Sequence, residues 1–534
     1  MNPINGEPPK HAPDRAPDAA VPGAIARRAG YAAALCVAAA GSLILEIVGG
    51  RMLAPYVGMS LYTWTAIIAV VLTGLSIGHW IGGHLADRDE SVSLRTLVAS
   101  FWLAGLTALA SLPLLRLASG PILSAGLGPV LSIVVLTAVL FLLPVLFSGI
   151  AAPVLTRMAL TEAPHRRGRV LGQMYAVGAL GSIAGTLAAG FLFISWIGSA
   201  GTIIVVAAGY GLTGALLLLR RPARRGIAAS AGVAAIAAMA ITAAGIGIRA
   251  FDSPCFRESD YYCIRVVDFA PQTGRASALL VLDHLGHGIN DRDDPTRLHS
   301  SYVELADRLF AQRLSGRDTF AAYFIGGGAY TVPRAWQAAY PKADLVVAEI
   351  DPAVTRTATE RLWLQPAEKM RILHKDARVA LQALPAQPTF DLVLGDAFRD
   401  ISIPQHLVTA EFAREIAARM RPGGLYTLNV VDAAEAPRFL FSMVRTLRTA
   451  FATVEVWGDR DQLAAGGHTT FLVVASDQPT ANDRLTSPHD PARRWLRWPE
   501  DDLRGRIEAS AAPLLTDDYA PVDRLMIHVQ EDSG

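Results

Sequence analysis

From Gly30 onward the chain alternates long apolar runs with short polar connections. Seven such runs occur, at 30–50, 61–85, 96–118, 128–156, 172–196, 199–219 and 227–249. Each is long enough to cross about 30 Å of hydrocarbon at 1.5 Å per residue. A segment in hydrocarbon must satisfy its backbone polar groups internally, so all seven are predicted to be helices. The stretch from Gly120 to Met158 is awkward, because cutting it at Pro144 leaves a piece too short to span. It is expected to be one helix kinked at that proline. Small residues recur at helix-packing spacing: Gly74, Gly78 and Gly82, then Gly178, Ser182 and Thr186 beside Gly181, Gly185 and Ala189. Such rows let backbones meet closely in lipid, and a transport path is the alternative use for them. Glu46 and Arg51 are a candidate ion pair near the end of the first helix.

Past Ala250 the period changes to strands alternating with amphipathic helices. Tyr261–Val267 and Ala278–Leu282 read as strands of a small sheet. Phe320–Ile325 is an apolar strand ending in Gly326-Gly327-Gly328, followed by a helix from about Thr331 with Pro333 in its first turn. Leu345–Asp351 and Phe390–Asp396 are further strands. This alternation implies right-handed βαβ units and a mostly parallel, doubly wound sheet.

Composition sharpens that division. Charged residues make up about 8% of Gly30–Ala250 and about 25% of the chain from Phe251, the second being the ordinary soluble value. The first part is therefore a membrane domain and the second a globular one. The expected division is a disordered tail at 1–28, a helical domain at 29–250, a small β-region at 251–315 and a Rossmann-like domain at 316–534. Lys+Arg 48 against Asp+Glu 47 leaves a net charge of +1, so no overall field recruits nucleic acid. Three cysteines exclude a disulfide scaffold or a multi-cysteine metal centre, and no spacing completes a metal site around His284 and His287.

In a doubly wound sheet the ligand lies at the carboxyl ends of the strands. The polar residues at those ends are the glycines, then Glu349, Asp376 and Asp396. A glycine turn permits close backbone approach, and an acidic group after the next strand can accept from ribose hydroxyls. Thr331 stands where a dinucleotide fingerprint needs its third glycine, so a nucleoside with a short tail fits better.

Glu258-Ser259-Asp260-Tyr261-Tyr262-Cys263-Ile264, Leu282-Asp283 with His287, Tyr302-Val303-Glu304 and the triple glycine resemble a spermidine synthase in order. Ala348-Glu349-Ile350-Asp351, Asp376-Ala377, Asp391–Asp396, Leu407–Phe412 and Arg421-Pro422-Gly423-Gly424 continue the match over roughly 252–530. With the apolar half in front, the chain resembles a membrane-fused spermidine synthase-like protein. The fold implied is a transmembrane helical bundle of about seven spans followed by an α/β domain. That domain is a Rossmann-like sheet of the methyltransferase or spermidine synthase type with a small N-terminal β-sheet.

The resemblance implies aminopropyl transfer from decarboxylated S-adenosylmethionine, or a related adenosyl thioether ligand, to a polyamine-type amine, with no tightly bound cofactor. By position, Asp396 would orient and deprotonate the amine, Glu349 would hold the ribose, and Asp376 with Ala377 would meet the adenine. Gly326, Gly328, His287, Tyr261, Tyr302 and Asp400 would complete the binding site. Partners implied are the lipid bilayer, the amine and the adenosyl ligand, with a homodimer through the soluble domain and no nucleic acid. The chain departs from the family pattern at four places. Ala329 replaces an aspartate after the glycines, His287 a glutamine, and Val303 a histidine, while Asp400 lies four places after Asp396 instead of three. These departures leave open a domain that binds a nucleoside or polyamine without turnover, fused to a transport or sensing bundle. A methyltransferase on the same fold is a third reading, from fold analogy alone.

Fourteen basic residues of the first 250 fall in alternate loops on one side, among them Arg27, Arg88, Arg157 and Arg225, against Arg51, Arg116 and Arg249 on the other. Basic loops stay inside, so the expected location is a multi-pass inner-membrane protein with its soluble domain outside the cytoplasm. Cys255 and Cys263 could then pair. Adenosyl sulfonium donors are cytoplasmic metabolites, which argues the other way. The acidic run Thr516–Asp523 is either a solvated turn or a loop closing over an amine site.

Overall fold

The computed structural model describes residues 22–219, 225–398 and 402–526. Six helical segments in it are long and apolar enough to cross a membrane. The first four are α1 (Pro22–Val57), α2 (Leu61–Ala86), α3 (Glu90–Leu123) and α4 (Pro129–Thr161). The fifth, Pro164–Leu219, has 56 residues, about 84 Å at 1.5 Å per residue and more than twice the hydrocarbon thickness. Its backbone leaves helical geometry at Gly198 (φ 70°, ψ 176°), where the chain reverses. Before the break, α5 (167–197) runs parallel to α1, Gly181 resting on Cys36 and Gly185 on Ala40. After it, α6 (199–219) runs antiparallel to α3, Ala207 meeting Gly105 and Gly214 meeting Trp102. With α7 (Arg225–Gly247) the described helices make seven passes along the bundle, one for each apolar run.

The small-residue rows do the packing expected of them. A methyl group on Gly82 would lie 2.6 Å from the Ile150 carbonyl oxygen, and one on Gly181 2.6 Å from that of Cys36. α4 is one crossing with a π turn over Ala138–Leu142, just before Pro144. The missing proline N–H leaves the Leu140 carbonyl without its helical partner, so the turn widens. α1 begins at Pro22, inside the segment 1–28 read as a tail; residues 1–21 lie outside the described residues. Ala24–Ala29 is rich in good helix formers, and Arg27 pairs with Glu162 at 2.7 Å.

Arg27, Arg51 and Arg116 take the ends of the bundle that their loops predict; Lys10, Arg15, Arg220, Arg221 and Arg224 lie outside the described residues. Arg27 stands at the end of the bundle far from the soluble half. Arg51 and Arg116 stand at the near end: Arg116 donates to the Asp252 carbonyl at 2.8 Å, and Arg51 to the carbonyls of Ser259 and Tyr261. Arg51 is therefore spent on docking, and no Glu46–Arg51 ion pair forms. Ser195 and Ser199 complete the junction, donating to Asp260 and Glu258 at 2.6 and 2.8 Å. Cys255 and Cys263, both in the stretch that enters the soluble half, form a disulfide, the pairing that an oxidising compartment would permit. Removing a charged donor from carbonyls costs about 1.5–3 kcal/mol. Arg51→Ala should therefore speed hydrogen exchange of the 252–262 amides about tenfold or more while leaving the central sheet unchanged.

The soluble half contains two sheets. β1 (Arg257–Glu258), β2 (Cys263–Asp268), β3 (Ser277–Leu282) and β4 (Leu285–Asp291) form an antiparallel meander. β2 starts two residues later than predicted, because Tyr261 and Tyr262 belong to the docking turn. α8 (Ser301–Leu314) leads into the nine-stranded sheet. Its parallel strands are β5 (Ala321–Ile325), β6 (Asp344–Ala348), β7 (Met370–Leu373), β8 (Phe390–Gly395) and β9 (Met420–Ala433). β10 (Thr453–Asp459), β11 (His468–Ser476), β12 (Arg484–Thr486) and β13 (Arg494–Arg497) extend it antiparallel. The order is β12-β13-β10-β11-β9-β8-β5-β6-β7. One face is covered by α8, α9 (Thr331–Ala339) and α10 (Pro352–Arg361), the other by α11 (Ala377–Gln382), α12 (Ala410–Ala417) and α13 (Arg438–Leu447). Successive strands step one way from β5 to β6 and β7, then the other way to β8 and β9. The switch point, where such sheets bind ligands, thus lies between β5 and β8.

Candidate active site

At the carboxyl ends of β5 and β8 lies a cavity of about 290 Å³. It gathers His287, Tyr302, Gly326, Gly328 and Asp396 of the predicted site residues, with Ala329 in its wall. The glycine turn makes this possible. Gly326 has φ +96°, and a Cβ there would lie 2.6 Å from the Asp396 carbonyl oxygen, so the ends of β5 and β8 meet only because the side chain is absent. The Asp396 amide donates to the Ile325 carbonyl at 2.9 Å, locking the two ends together.

Both carboxylate oxygens of Asp396 are held. Asn429 Nδ2 donates to Oδ1 at 2.9 Å, and the Tyr302 hydroxyl donates to Oδ2 at 3.0 Å. Burial pushes the Asp396 carboxyl above the ordinary carboxylate range, and these two donors only partly offset it. Tyr302 is raised well above its usual value, by burial first and then by the Asp396 charge, so its hydroxyl keeps its proton and donates. His287 is pushed down to about 4 by burial and by neighbouring His284, and is neutral at pH 7. The arrangement is a poised proton acceptor beside two groups that hold it in one orientation.

Glu349 stands behind the glycine turn, outside the cavity wall. Its Oε2 accepts from the amides of Gly327 and Gly328 at 2.9 and 3.1 Å, and its Oε1 from Asp351 at 2.9 Å. Burial raises its carboxyl against those three bonds. Asp351 in turn accepts from the Ser259 hydroxyl, whose carbonyl takes the Arg51 guanidinium. A hydrogen-bonded path therefore runs from α1 to the glycine turn.

Asp376 caps α11, which starts at Ala377, accepting from the amides of Arg378 and Val379; its Oδ2 meets His406 Nε2 at 2.7 Å. Burial raises the carboxyl, but the His406 bond and the two amides outweigh it and leave Asp376 below the usual range. Tyr261 is 44% exposed and sits at the junction with the bundle, away from the cavity. Asp400 lies outside the described residues. The run Thr516–Asp523 packs beside Asp376, Asp517 bridging Arg378 at 2.7 Å and Thr409 at 2.7 Å, and does not line the cavity. Asn429, His468 and Phe398 line the cavity without having been singled out from the sequence. Asn429 carried a signal: it is a polar residue within a buried apolar strand, and such a residue needs a partner.

The chain is 34% identical over 113 residues to the polyamine aminopropyltransferase of Vibrio vulnificus, covering 21% of this chain and 38% of that one. It is 26% identical over 228 residues to a probable polyamine aminopropyl transferase of Bifidobacterium longum, covering 39% and 49%. Over part of its length the chain is therefore similar in sequence to polyamine aminopropyltransferases. The chain spans less than half the length of these two curated relatives. Among solved structures, a probable spermidine synthase from Corynebacterium glutamicum superposes with a TM-score of 0.43 at 22% identity, covering 50% of this chain and 97% of its own. The spermidine synthase of Thermotoga maritima gives 0.33 at 17% identity, covering 42% and 72%. No family model matches the chain.

Proposed function

We propose that the soluble half transfers an aminopropyl group from an adenosyl sulfonium donor, decarboxylated S-adenosylmethionine or a close relative, to a polyamine-type amine. The observation that carries this reading is Asp396 at the switch point, held by Tyr302 and Asn429 with its carboxyl raised. An ammonium has no lone pair with which to attack, so Asp396 takes one of its protons and keeps the nitrogen in place. The nitrogen then bonds to the aminopropyl carbon attached to sulfur. The carbon–sulfur bond breaks with its electron pair going to sulfur, leaving neutral methylthioadenosine. The sulfonium is already a good leaving group, so positioning supplies much of the rate. Glu349 would reach the ribose by way of the glycine turn whose amides it holds, and Asp376 would meet the adenine once His406 gives way.

The test is methylthioadenosine release by the full chain in detergent, from the decarboxylated donor with putrescine and other amines. Ala329, an apolar residue in the cavity wall, favours a second reading in which the site binds without turnover; release at background with every amine supports that one. Binding itself is testable by calorimetry. Glu349→Ala should weaken methylthioadenosine by about 1–3 kcal/mol, the loss expected for hydrogen bonds to a charged group. No heat with any adenosyl ligand overturns the nucleoside site.

We also infer that the soluble half lies outside the cytoplasm. The basic residues support this, since the sparse set Arg51, Arg116 and Arg249 shares the end of the bundle that carries the soluble half, and basic loops stay inside. The Cys255–Cys263 disulfide supports it as well, because such bonds persist in oxidising compartments.

A further inference from the structure

The helices of the bundle interlock at their small residues, with one exception. α7 packs against α3 but stands off α6, and only 6% of its apolar stretch Ser230–Gly247 is buried, against 56% for α3. Between α7, α3 and α6 lies a cleft of about 550 Å³. Gly105 faces α6 with the Ala207 carbonyl oxygen 2.8 Å from where its Cβ would be, whereas Gly211, one turn further along α6, meets nothing within 4 Å. The cleft is therefore a gap in the packing at an otherwise close contact.

Its walls are apolar throughout apart from the Thr242 hydroxyl and the Trp102 indole N–H. The α7 residues facing it run from Ala231 to Ile246, about 22 Å at 1.5 Å per residue, against a hydrocarbon thickness of about 30 Å. A cleft of that length among spanning helices has hydrocarbon as its surroundings, and an apolar void left empty forfeits contacts on all its walls. A helix about 10 Å across would need roughly three times the volume over the same length, so a partner helix does not fit. A single extended chain does.

We propose that the cleft between α3, α6 and α7 is a binding site for one acyl chain of a membrane phospholipid. The site is separate from the cavity of the soluble half and stands whether or not that half transfers aminopropyl groups. The chain supplies the contacts that α7 lacks and wedges α7 against the rest of the bundle, next to the stretch leading into the soluble half.

Trp102 lines the cleft and is 9% exposed, whereas Trp80 and Trp196 are 69% and 79% exposed on the outer surface. That contrast provides the test. The full chain is reconstituted in phosphatidylcholine vesicles whose acyl chains are brominated or plain, and tryptophan fluorescence is compared with that of Trp102→Phe to isolate the Trp102 signal. Bromine quenches only at short range, so the Trp102 component should fall by at least half in brominated vesicles. Gly211→Leu and Ala235→Leu, which fill the cleft from opposite walls, should each abolish most of that quenching while Trp80 and Trp196 remain quenched, showing that the bundle is still inserted. Should one of these variants fail to insert, the other and the wild type decide. An unquenched Trp102 in the wild type, showing a cleft that is dry or closed by α7, overturns the proposal. So does a Trp102 signal that stays equally quenched when the cleft is filled.

Discussion

Asp396→Asn should release methylthioadenosine about 10²–10⁴-fold more slowly than the wild type, the range for loss of a positioned proton acceptor. The asparagine keeps the shape and can still accept from Tyr302 Oη, so methylthioadenosine binding should change little. The same substitution should stabilise the fold, and the sign follows from the direction of the shift. Burial raises the Asp396 carboxyl in the folded state above its unfolded value. Stability from this group is therefore fully present below the unfolded value, near 4, and is lost as pH rises through the folded one. At neutral pH the wild type carries the cost of ionising a buried carboxyl, and a neutral asparagine does not. Thermal unfolding at pH 7 should show a higher Tm for the variant, with the gap closing below about pH 4. A variant that turns over at the wild-type rate removes Asp396 from the chemistry. One that is slower and also less stable shows Asp396 to be a structural anchor.

A reporter fused after Gly534 should behave as an extracytoplasmic one: alkaline phosphatase active, and a fluorescent protein that matures only in the cytoplasm dark. The contrast is all or none, since seven crossings put the two ends of the bundle on opposite sides. A bright cytoplasmic reporter overturns the placement and leaves the transferase with ready access to its donor. An active phosphatase separates the site from the cytoplasmic pool of adenosyl sulfonium donors, so transfer then requires a donor supplied outside the cytoplasm, and background release with every amine leaves the reading without turnover. Fusion and release assay together therefore decide between the two functional readings.

The helices and strands were legible in the chain because each depends on local pattern. An apolar run in lipid can only be a helix, and an apolar strand followed by glycines and a helix can only be a βα unit. Even the division of the 56-residue segment at Gly198 was visible, since two runs of spanning length adjoin there. The acidic residues at the strand ends were legible for the same reason: a parallel sheet puts all its carboxyl ends on one edge.

What remained hidden depends on which elements come together. The sequence places Glu349 after a strand, but only the packing shows that its carboxylate is taken by Gly327 and Gly328. Asn429 lies 33 residues from Asp396, and only adjacency of β8 and β9 makes it a partner. Tyr261 sits in the stretch that resembles the family's binding residues, yet docking against Arg51 draws it away from the cavity. The same holds for the loose fit of α7, whose alanines and isoleucines read like those of any spanning helix. Pattern along the chain determines what each segment is, because hydrogen bonding and burial period are local. Distances between segments are set by the fit of whole surfaces, and neither the cavity at Asp396 nor the cleft beside Gly211 exists until those surfaces meet.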